Sequence, residues 1–242
     1  MPIDRYKGLL PFKIWKNNRD KYLSSGDVVF CECELFKKYV HCGNVLYWAI
    51  DRECLPMNPY LSENELQFCY LGSINNIIDI PRITAFLREC SAHKKCTLHI
   101  IGDGENKEYF IQEVLCVGVN VVDHKEVYDF QRKQEVFDQC NYGFNVMKPS
   151  VVVGLTMKSL DYMCAGLPII NTIKGDTKDF CEEWDIGFNL KKSNIKEVAE
   201  RVCSESMDVQ LQRRKNIQNL YNTYFTTKKF NATLDEALNR IF

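Results

Sequence analysis

An α/β fold with a parallel sheet is the fold class that the sequence predicts, on two observations. From residue 66 onward, short and nearly continuous apolar runs alternate with amphipathic helical patterns. Such runs are typical of strands in a parallel sheet that helices cover on both faces. We interpret these runs as the buried strands: Gln67–Leu71, Thr97–Ile101, Val119–Val122, Tyr142–Met147 and Leu167–Asn171.

Helices between these strands carry recognisable start and stop signals. Asp79 stands where an N-cap belongs, and Pro81 lies in the first turn that follows it. A second helix is predicted from Thr156 to Ala165, with Thr156 as its cap and Gly166 as its stop. After Ile195 the pattern is helical to the end of the chain. The helix that begins after Asp79 has a predicted buried stripe with the spacing i, i+3, i+4, i+7, formed by Ile83, Phe86, Leu87 and Cys90.

The first sixty-odd residues are different in character. They contain a predicted strand at Asp27–Phe30, a short helix at Leu35–Val40 and a second strand at Val45–Ala49. The stretch Leu55–Tyr60, with two prolines and polar neighbours, has the composition of a linker. Two strands and one helix cannot bury a core of their own, because even a 60-residue domain is marginally stable. We therefore expect this region to pack on the larger one.

The overall composition disfavours several classes of protein. With 31 basic and 32 acidic residues among 242, the net charge of -1 gives no field that would attract a nucleic acid. The longest apolar runs are far shorter than the roughly 20 residues that a membrane span needs. The charged start of the sequence lacks the apolar stretch of a secretory signal. We therefore expect a cytoplasmic protein.

Twelve cysteines are spread along the chain without a Cys-x-x-Cys pair. Cys90 and Cys164 stand where a small apolar residue belongs, so we interpret the cysteines as reduced and buried. A zinc site made of Cys31, Cys33 and His41 is conceivable, but the one-residue gap is a poor match to the usual ligand spacing. We predict no metal site.

Loops that follow parallel strands are the places where such sheets bind ligands. Gly72 and Ser73 follow the first strand and could bring backbone N–H groups to a phosphate, although an ordinary turn is an equal alternative. The loop Gly102–Gly104 is better interpreted as a tight turn, since Asp and Gly suit turn geometry without a ligand.

The helix predicted from Thr156 carries Lys158 in its first turn. A cation there is unfavourable by roughly 0.3–1 kcal/mol against the helix dipole, so Lys158 favours a site for an anion. Asp161 lies three positions later on the same face, and the alternative is an ion pair between the two on the surface.

The same segment resembles the signature of retaining glycosyltransferases of the GT-B group, family 4. The resemblance extends over Leu66 to Leu190 and includes motifs in the family's order and at its intervals. These motifs are Lys158, Asp161-Tyr162, Gly166–Ile170, Leu98–Gly104, Gly118–Val121 and Met147–Ser150. It implies a Rossmann-like sheet that forms the C-terminal lobe of a GT-B enzyme, together with a partial N-terminal lobe.

The resemblance also implies roles for individual residues. Asp161 stands where the family accepts hydrogen bonds from the donor ribose, and Lys158 would neutralise phosphate charge as the leaving group departs. Thr156 and Met157 would face the diphosphate, with Gly72 and Ser73 on its other side. The segment that contains Val127 would lie near the base. The donor would be a nucleotide-diphosphate-sugar, with UDP-sugar as the expectation, and no other cofactor is expected.

Two departures from the family's pattern affect the functional prediction. Eight residues before Asp161, where the family often has a glutamate that contacts the sugar, this chain has Val153. The segment before Leu66 is also much shorter than the family's acceptor-binding lobe. The predicted parts are a remnant of the N-terminal lobe with its linker (1–62), a nucleotide-sugar-binding Rossmann-like domain (63–225) and a C-terminal helix (226–242).

The functional prediction is retaining transfer of a sugar to a glycan or lipid-linked acceptor in surface polysaccharide synthesis. The alternatives are a non-catalytic nucleotide-sugar-binding or scaffold subunit and a truncated enzyme fragment. An epimerase on the same two-lobed fold is disfavoured, because no paired carboxylates or His are placed for proton transfer. A partner that supplies an N-terminal lobe, and peripheral contact with the inner membrane face, are further expectations.

Overall fold

The computed structural model describes residues 8–23, 25–26, 28–40 and 44–240. In chain order its helices and strands are α1 (Leu10–Leu23), β1 (Phe30–Cys31), α2 (Glu34–Val40), β2 (Asn44–Val45), β3 (Glu65–Leu71), α3 (Ile80–Ser91), β4 (Lys95–Ile101), α4 (Lys107–Cys116), β5 (Asn120–Asp123), α5 (Phe130–Gln139), β6 (Tyr142–Asn145), α6 (Met157–Ala165), β7 (Ile169–Asn171), α7 (Asp176–Glu183), β8 (Gly187–Asn189), α8 (Ile195–Ser204), α9 (Met207–Tyr224) and α10 (Thr227–Leu238).

A six-stranded parallel sheet confirms the predicted fold class. Its strand order is β5-β4-β3-β6-β7-β8, so the chain moves outward from β3 to β5 and then returns to the other side of β3. In the register, Phe68 of β3 lies opposite both Leu98 of β4 and Tyr142 of β6. The strand order therefore reverses between β3 and β6, and a crevice for ligands is expected beyond the carboxyl ends of these two strands.

Helices cover both faces of the sheet and bury two apolar clusters. The residues of one cluster come from the strands together with α3, α4 and α8, and include the predicted stripe of α3. The other cluster lies between the sheet and helices α5, α6 and α9. Nine of the eleven cysteines in the described residues are buried, which confirms that they serve as small core residues, and Cys42 lies outside those residues.

The prediction that the Asp79 side chain caps α3 is wrong. Asp79 precedes the helix, but its side chain accepts no capping hydrogen bond. Its backbone angles (φ -90°, ψ 68°) differ from the extended conformation that the capping residue of a helix usually adopts. The carboxylate instead forms an ion pair with Arg82, with 3.1 Å between Oδ2 and Nε. Pro81 does lie in the first turn, as predicted.

Both ends of α6 agree with the sequence signals. Thr156 has extended backbone angles, and its hydroxyl accepts a hydrogen bond from the Ser159 amide. Gly166 ends the helix in the left-handed conformation, with φ of 72°. The positive φ favours glycine here, and a Cβ at Gly166, 2.2 Å from the Met57 sulfur, would also require the Met57 side chain to move.

The first region forms a two-stranded parallel sheet, β1 and β2, that is shorter than predicted. The strand predicted at Val45–Ala49 ends at Val45, and Asp27 of the other predicted strand lies outside the described residues, as does His41. The Leu46 amide still donates to the Cys31 carbonyl (2.9 Å), where the two-residue strand β1 ends. Pairing stops because β1 offers no further partner.

Asp176, the first residue of α7, attaches this region to the sheet. Its carboxylate accepts hydrogen bonds from the amides of Glu34 (2.8 Å) and Leu35 (3.0 Å) and from the Tyr47 hydroxyl (2.8 Å). The carboxylate thus satisfies two N–H groups at the start of α2, which have no partner within that helix. Asp176 is 3% exposed. The two regions are therefore joined by charge-assisted hydrogen bonds in a buried place.

The predicted linker at Leu55–Tyr60 has no regular structure but is held along its length. Gln218 donates to the Leu55 carbonyl (3.1 Å), and the amides of Asn58 and Tyr60 donate to Asp138 at 3.2 and 2.8 Å. The segment therefore has fixed contacts with α5 and α9. No helix within the described residues is long and apolar enough to cross a membrane.

Replacing Asp176 by Asn should weaken the attachment of the first region. Asn offers one neutral oxygen and an NH₂ group that faces N–H donors, so we expect a loss of about 2–3 kcal/mol of unfolding free energy. Urea titration measures it, and hydrogen exchange should quicken at the Glu34 and Leu35 amides. Asp179→Asn is the control, because Asp179 is exposed on the same helix and its one side-chain hydrogen bond within the described residues is the contact with Lys178 at 3.5 Å. Equal losses in both variants would contradict the assignment.

Candidate functional site

Glycines bring the loops after three strands into direct contact. The Gly72 amide donates to the Ile101 carbonyl and the Gly102 amide to the Lys125 carbonyl, both at 2.8 Å. A Cβ on Gly102 would lie 2.2 Å from the Gly72 carbonyl oxygen, and a Cβ on Gly104 2.4 Å from that of Ile74. Gly102 and Gly104 therefore serve loop packing, which supports their interpretation as a tight turn.

The N-terminus of α6 is anchored to the end of β6. Asn145, the last residue of β6, donates from its amide to the Ser159 hydroxyl (2.9 Å) and accepts from the Thr156 hydroxyl (3.3 Å). The amide of Asn145 also meets that of Asn171 (3.2 Å), and Asn171 donates to Asn189 (2.8 Å). A row of asparagines at the ends of β6, β7 and β8 thus fixes the first turn of α6 at the crevice.

Tyr162 ties the middle of α6 to β3. Its hydroxyl accepts a hydrogen bond from the Leu71 amide (2.8 Å) and lies 3.3 Å from the Cys69 carbonyl, to which it donates. The ring lies over Gly143 of β6, where a Cβ would approach it to 2.8 Å. Helix α6 is therefore fixed to both strands of the switch point, at the level where β3 ends.

Lys158 extends from the first turn of α6 toward β3. Its ammonium lies 4.4 Å from the centre of the Tyr70 ring and donates to the Tyr70 hydroxyl at 3.2 Å. Its Cε lies 3.8 Å from the position that a Cβ on Gly72 would take. The structure thus places Lys158 beside Gly72. No carboxylate among the described residues forms an ion pair with Lys158.

Burial lowers the pKa of the Lys158 ammonium to about 8. The ammonium has three donors, of which the Tyr70 hydroxyl takes one. The Tyr70 ring attracts a cation through its quadrupole, but carries no net charge that would neutralise it. An anion beside Lys158 would therefore gain both a charge partner and free donors.

Asp161 has two cationic partners, and Lys158 is not one of them. An Arg52 guanidinium nitrogen bonds to Asp161 Oδ1, and Lys133 Nζ lies 3.6 Å from Oδ2. Arg52 lies in the segment between β2 and β3, and Lys133 in the first turn of α5. The surface ion pair between Lys158 and Asp161, which was the alternative to a ligand site, is not formed.

The other predicted site residues lie around the same crevice, in different environments. Ser73 is exposed, and its carbonyl accepts from the Tyr70 hydroxyl at 2.8 Å. Met157 is 52% exposed at the start of α6. Val127 is half-buried and packs on the apolar cluster beneath α5. Their roles toward a donor stay predictions from the resemblance.

Several residues of this site carried no signal in the sequence. Tyr70 and Tyr162 read as apolar members of a strand and a helix, and nothing in the segment around Arg52 or Lys133 points to Asp161. Asn145 is the exception, because a polar residue ending each of three apolar strands is a visible pattern. No cluster of His, Cys, Asp and Glu that could hold a metal ion occurs among the residues that the structure describes.

A separate cavity of about 300 Å³ lies between the first region and α10, and no predicted site residue lines it. Its lining includes aromatic residues and ion-paired side chains: Phe30, Tyr47, Tyr224 and Phe230, with Glu34 and Lys37, and Glu236 and Arg240.

The parallel sheet, with its strand order reversed between β3 and β6, defines an α/β protein of the Rossmann-like class. Residues 66–206, more than half of the chain, match the family of glycosyl transferases group 1, and the chain belongs to this family. Solved structures that share its fold include glycosyltransferases of the GT-B type. No curated protein sequence matches the chain.

Three solved structures illustrate the likeness. Anabaena HepE, in complex with UDP and glucose, superposes with a TM-score of 0.70 at 14% identity over 93% of this chain and 67% of its own. A variant of S. aureus TarM, in complex with Fondaparinux, alpha-GlcNAc-glycerol and UDP, superposes with a TM-score of 0.69 at 13% identity. This match covers 95% of the present chain and 46% of the TarM chain. The apo form of the lipopolysaccharide outer core galactosyltransferase WaaB superposes with a TM-score of 0.69 at 14% identity, over 90% of the present chain and 63% of the WaaB chain.

These identities show a shared fold alone. The chain spans between 46% and 67% of the length of the three proteins, so each of them contains structure that has no counterpart here.

Replacing Tyr162 by Phe should loosen α6 from β3. The buried Leu71 amide would lose its acceptor, which should cost about 1–3 kcal/mol of unfolding free energy in a urea titration. Tyr128→Phe is the matched control, because Tyr128 is 80% exposed and bonds only to Glu126; its effect should stay within about 0.5 kcal/mol. A Tyr162→Phe protein as stable as the control would show that this hydrogen bond does not hold the helix.

Proposed function

We propose that this chain is the nucleotide-sugar-binding half of a retaining GT-B glycosyltransferase, with a UDP-sugar as donor. The observation that carries the proposal is Lys158. It lies at the N-terminus of a helix beside the switch point of the sheet, without a carboxylate partner among the described residues. Helix N-termini and cations together favour phosphate groups. The family and the fold support a transferase, and HepE and TarM were solved with UDP.

In this proposal the chain's residues act on the leaving nucleoside diphosphate. The charge that develops on the diphosphate as the bond to the sugar breaks is neutralised by Lys158, by the Met157 amide at the start of α6 and by the amide of the capping residue Thr156. Gly72 leaves room for the diphosphate on the other side, because it carries no side chain. The groups are held in place before the reaction by Tyr162 and Asn145, so little reorganisation is needed when charge develops.

The acceptor in this proposal is a glycan or a lipid-linked saccharide of a surface polysaccharide. TarM was solved with saccharide ligands, and WaaB is a lipopolysaccharide galactosyltransferase. The acceptor half would come from structure beyond the described residues, in this polypeptide or in a partner. A cytoplasmic location and peripheral contact with the inner membrane face stay predictions.

A donor-binding subunit that does not itself transfer sugar is the second candidate. One observation favours it: Val153 presents an apolar side chain where the family often has a glutamate toward the sugar. Transfer assays with the acceptor half present would separate this candidate from the first.

Calorimetric titration with UDP and UDP-sugars tests the donor site. We expect binding by the wild-type chain, and a loss of at least tenfold in UDP affinity for Lys158→Ala, because charge-assisted hydrogen bonds to phosphate would be removed. Lys148→Ala is the matched control, since Lys148 is exposed on the loop that precedes α6, and its affinity should stay within twofold. Absence of binding by a folded wild-type chain would refute the proposed donor site.

The pKa of Lys158 predicts how UDP affinity depends on pH. The diphosphate binds the protonated ammonium, and this form is lost as the pH rises through about 8. Affinity should therefore be constant near pH 7 and fall by up to about tenfold per pH unit well above 8. Lys158→Arg should show no such fall, because a guanidinium stays protonated.

Titration of the nucleotide itself would appear in both proteins and cancels in the comparison. The same decline in wild type and Lys158→Arg would mean that Lys158 does not contact the diphosphate.

A further inference from the structure

Arg52 lies outside the predicted site and contacts it directly. It belongs to the segment between β2 and β3, and its guanidinium bonds to Asp161 Oδ1. The guanidinium carbon also lies 3.9 Å from the centre of the Phe130 ring at the start of α5. Lys133, one turn further along α5, approaches the other carboxylate oxygen at 3.6 Å.

These contacts differ from an ordinary surface ion pair. The side chains of Arg52, Asp161 and Lys133 are 19%, 18% and 14% exposed, so solvent screens them only in part. The main chain at Arg52 is also fixed, because the Tyr221 hydroxyl lies 3.2 Å from the Ile50 carbonyl and 3.3 Å from that of Arg52. The guanidinium is thus held from its backbone end and along its flat face.

The carboxylate of Asp161 keeps free acceptor capacity in this arrangement. An ionised carboxylate has about four lone-pair positions. Arg52 occupies one of them on Oδ1, and the contact of Lys133 with Oδ2 is longer than a hydrogen bond. Two neighbouring hydroxyl groups, such as the 2′ and 3′ hydroxyls of a ribose, would each find an open oxygen.

The family resemblance already assigns the donor ribose to Asp161; we propose that Arg52, assisted by Lys133, positions the Asp161 carboxylate for the two ribose hydroxyls and thereby strengthens the preference for ribonucleotides over deoxyribonucleotides. This inference rests on the proposed donor site and adds a residue from outside the Rossmann-like domain to it. Arg52 is a positioning residue, since it acts through Asp161. The cation fixes which carboxylate rotamer is populated before the nucleotide arrives, so binding costs less ordering.

The ribose hydroxyls themselves provide the readout. Calorimetry would compare UDP with 2′,3′-dideoxy-UDP, which keeps the base and the diphosphate but lacks both hydroxyls. Wild type should bind UDP at least tenfold more tightly than the dideoxy compound. Arg52→Ala should lose about fivefold or more in UDP affinity, while its affinity for dideoxy-UDP should change by less than twofold. The ratio of the affinity for UDP to the affinity for dideoxy-UDP would therefore fall toward one.

Matched variants separate positioning from a general loss of structure. Arg52→Lys should restore part of the preference, because an ammonium can still bond to Oδ1. Arg132→Ala is the control, as Arg132 is an exposed arginine on the same turn of α5, and it should bind both nucleotides like wild type. Lys133→Ala should reduce the preference less than Arg52→Ala, given its longer contact.

The outcomes that overturn the inference are distinct. Equal losses for UDP and dideoxy-UDP in Arg52→Ala would show that Arg52 only supports the fold. Tighter UDP binding by that variant would show that Arg52 competes with the ribose for Asp161. If wild type bound UDP and dideoxy-UDP with the same affinity, the inference would be overturned. The donor site would not be affected by that result, because Lys158→Ala tests it separately. Failure of wild type to bind either nucleotide would refute both.

Discussion

The side chain of Tyr162 joins helix α6 to both halves of the sheet, which pair through β3 and β6. It binds the backbone of β3 at Leu71 and Cys69, while the ring packs over Gly143 of β6. One side chain on α6 therefore contacts both strands between which the strand order reverses. Because Gly143 has no Cβ, the ring reaches the end of β3, and the first turn of α6 is brought level with Tyr70. The approach of Lys158 to Tyr70 depends on this packing.

The two charged residues of α6 have opposite surroundings, although they are one turn apart. Lys158 lies near the positive end of the helix dipole and contacts the ring and the hydroxyl of Tyr70, and no carboxylate among the described residues neutralises its charge. Asp161 is already matched by Arg52 and Lys133. Burial makes this unmatched charge costly, and the cost appears as the lowering of the Lys158 pKa to about 8. Binding an anion would remove that cost.

The features of the fold that sequence predicts here are local ones. The apolar strands, the Thr156 cap and the Gly166 stop each depend on residues within a few positions, and the structure confirms them. Asp79 shows the limit of such signals, because Arg82 competes for the carboxylate that a cap would use. The length of β2 was overestimated for a related reason, since strand propensity says nothing about how long the partner strand is.

The partners of the charged residues could not be predicted from the sequence. Asp176 bonds to residues 141 and 142 positions away, and Arg52 and Asp161 are 109 positions apart. Nothing in the sequence near either partner marks such a pair, which depends on the path of the segment that α9 holds through Gln218 and Tyr221. Position in the fold, rather than residue type, makes these charges meet.

The linker therefore has a different meaning from the one its composition suggests. Prolines and polar residues predict a spacer between two parts of the chain, with a boundary near residue 62. The structure fixes the segment against α5 and α9 through Leu55, Asn58 and Tyr60. It also presents Arg52 to Asp161 from that fixed path. If this segment moved freely, Arg52 would not stay beside Asp161, because a single ion pair to an exposed arginine contributes little free energy. The segment is thus a packed structural element, and its fixed path keeps Arg52 beside the carboxylate of Asp161 on α6.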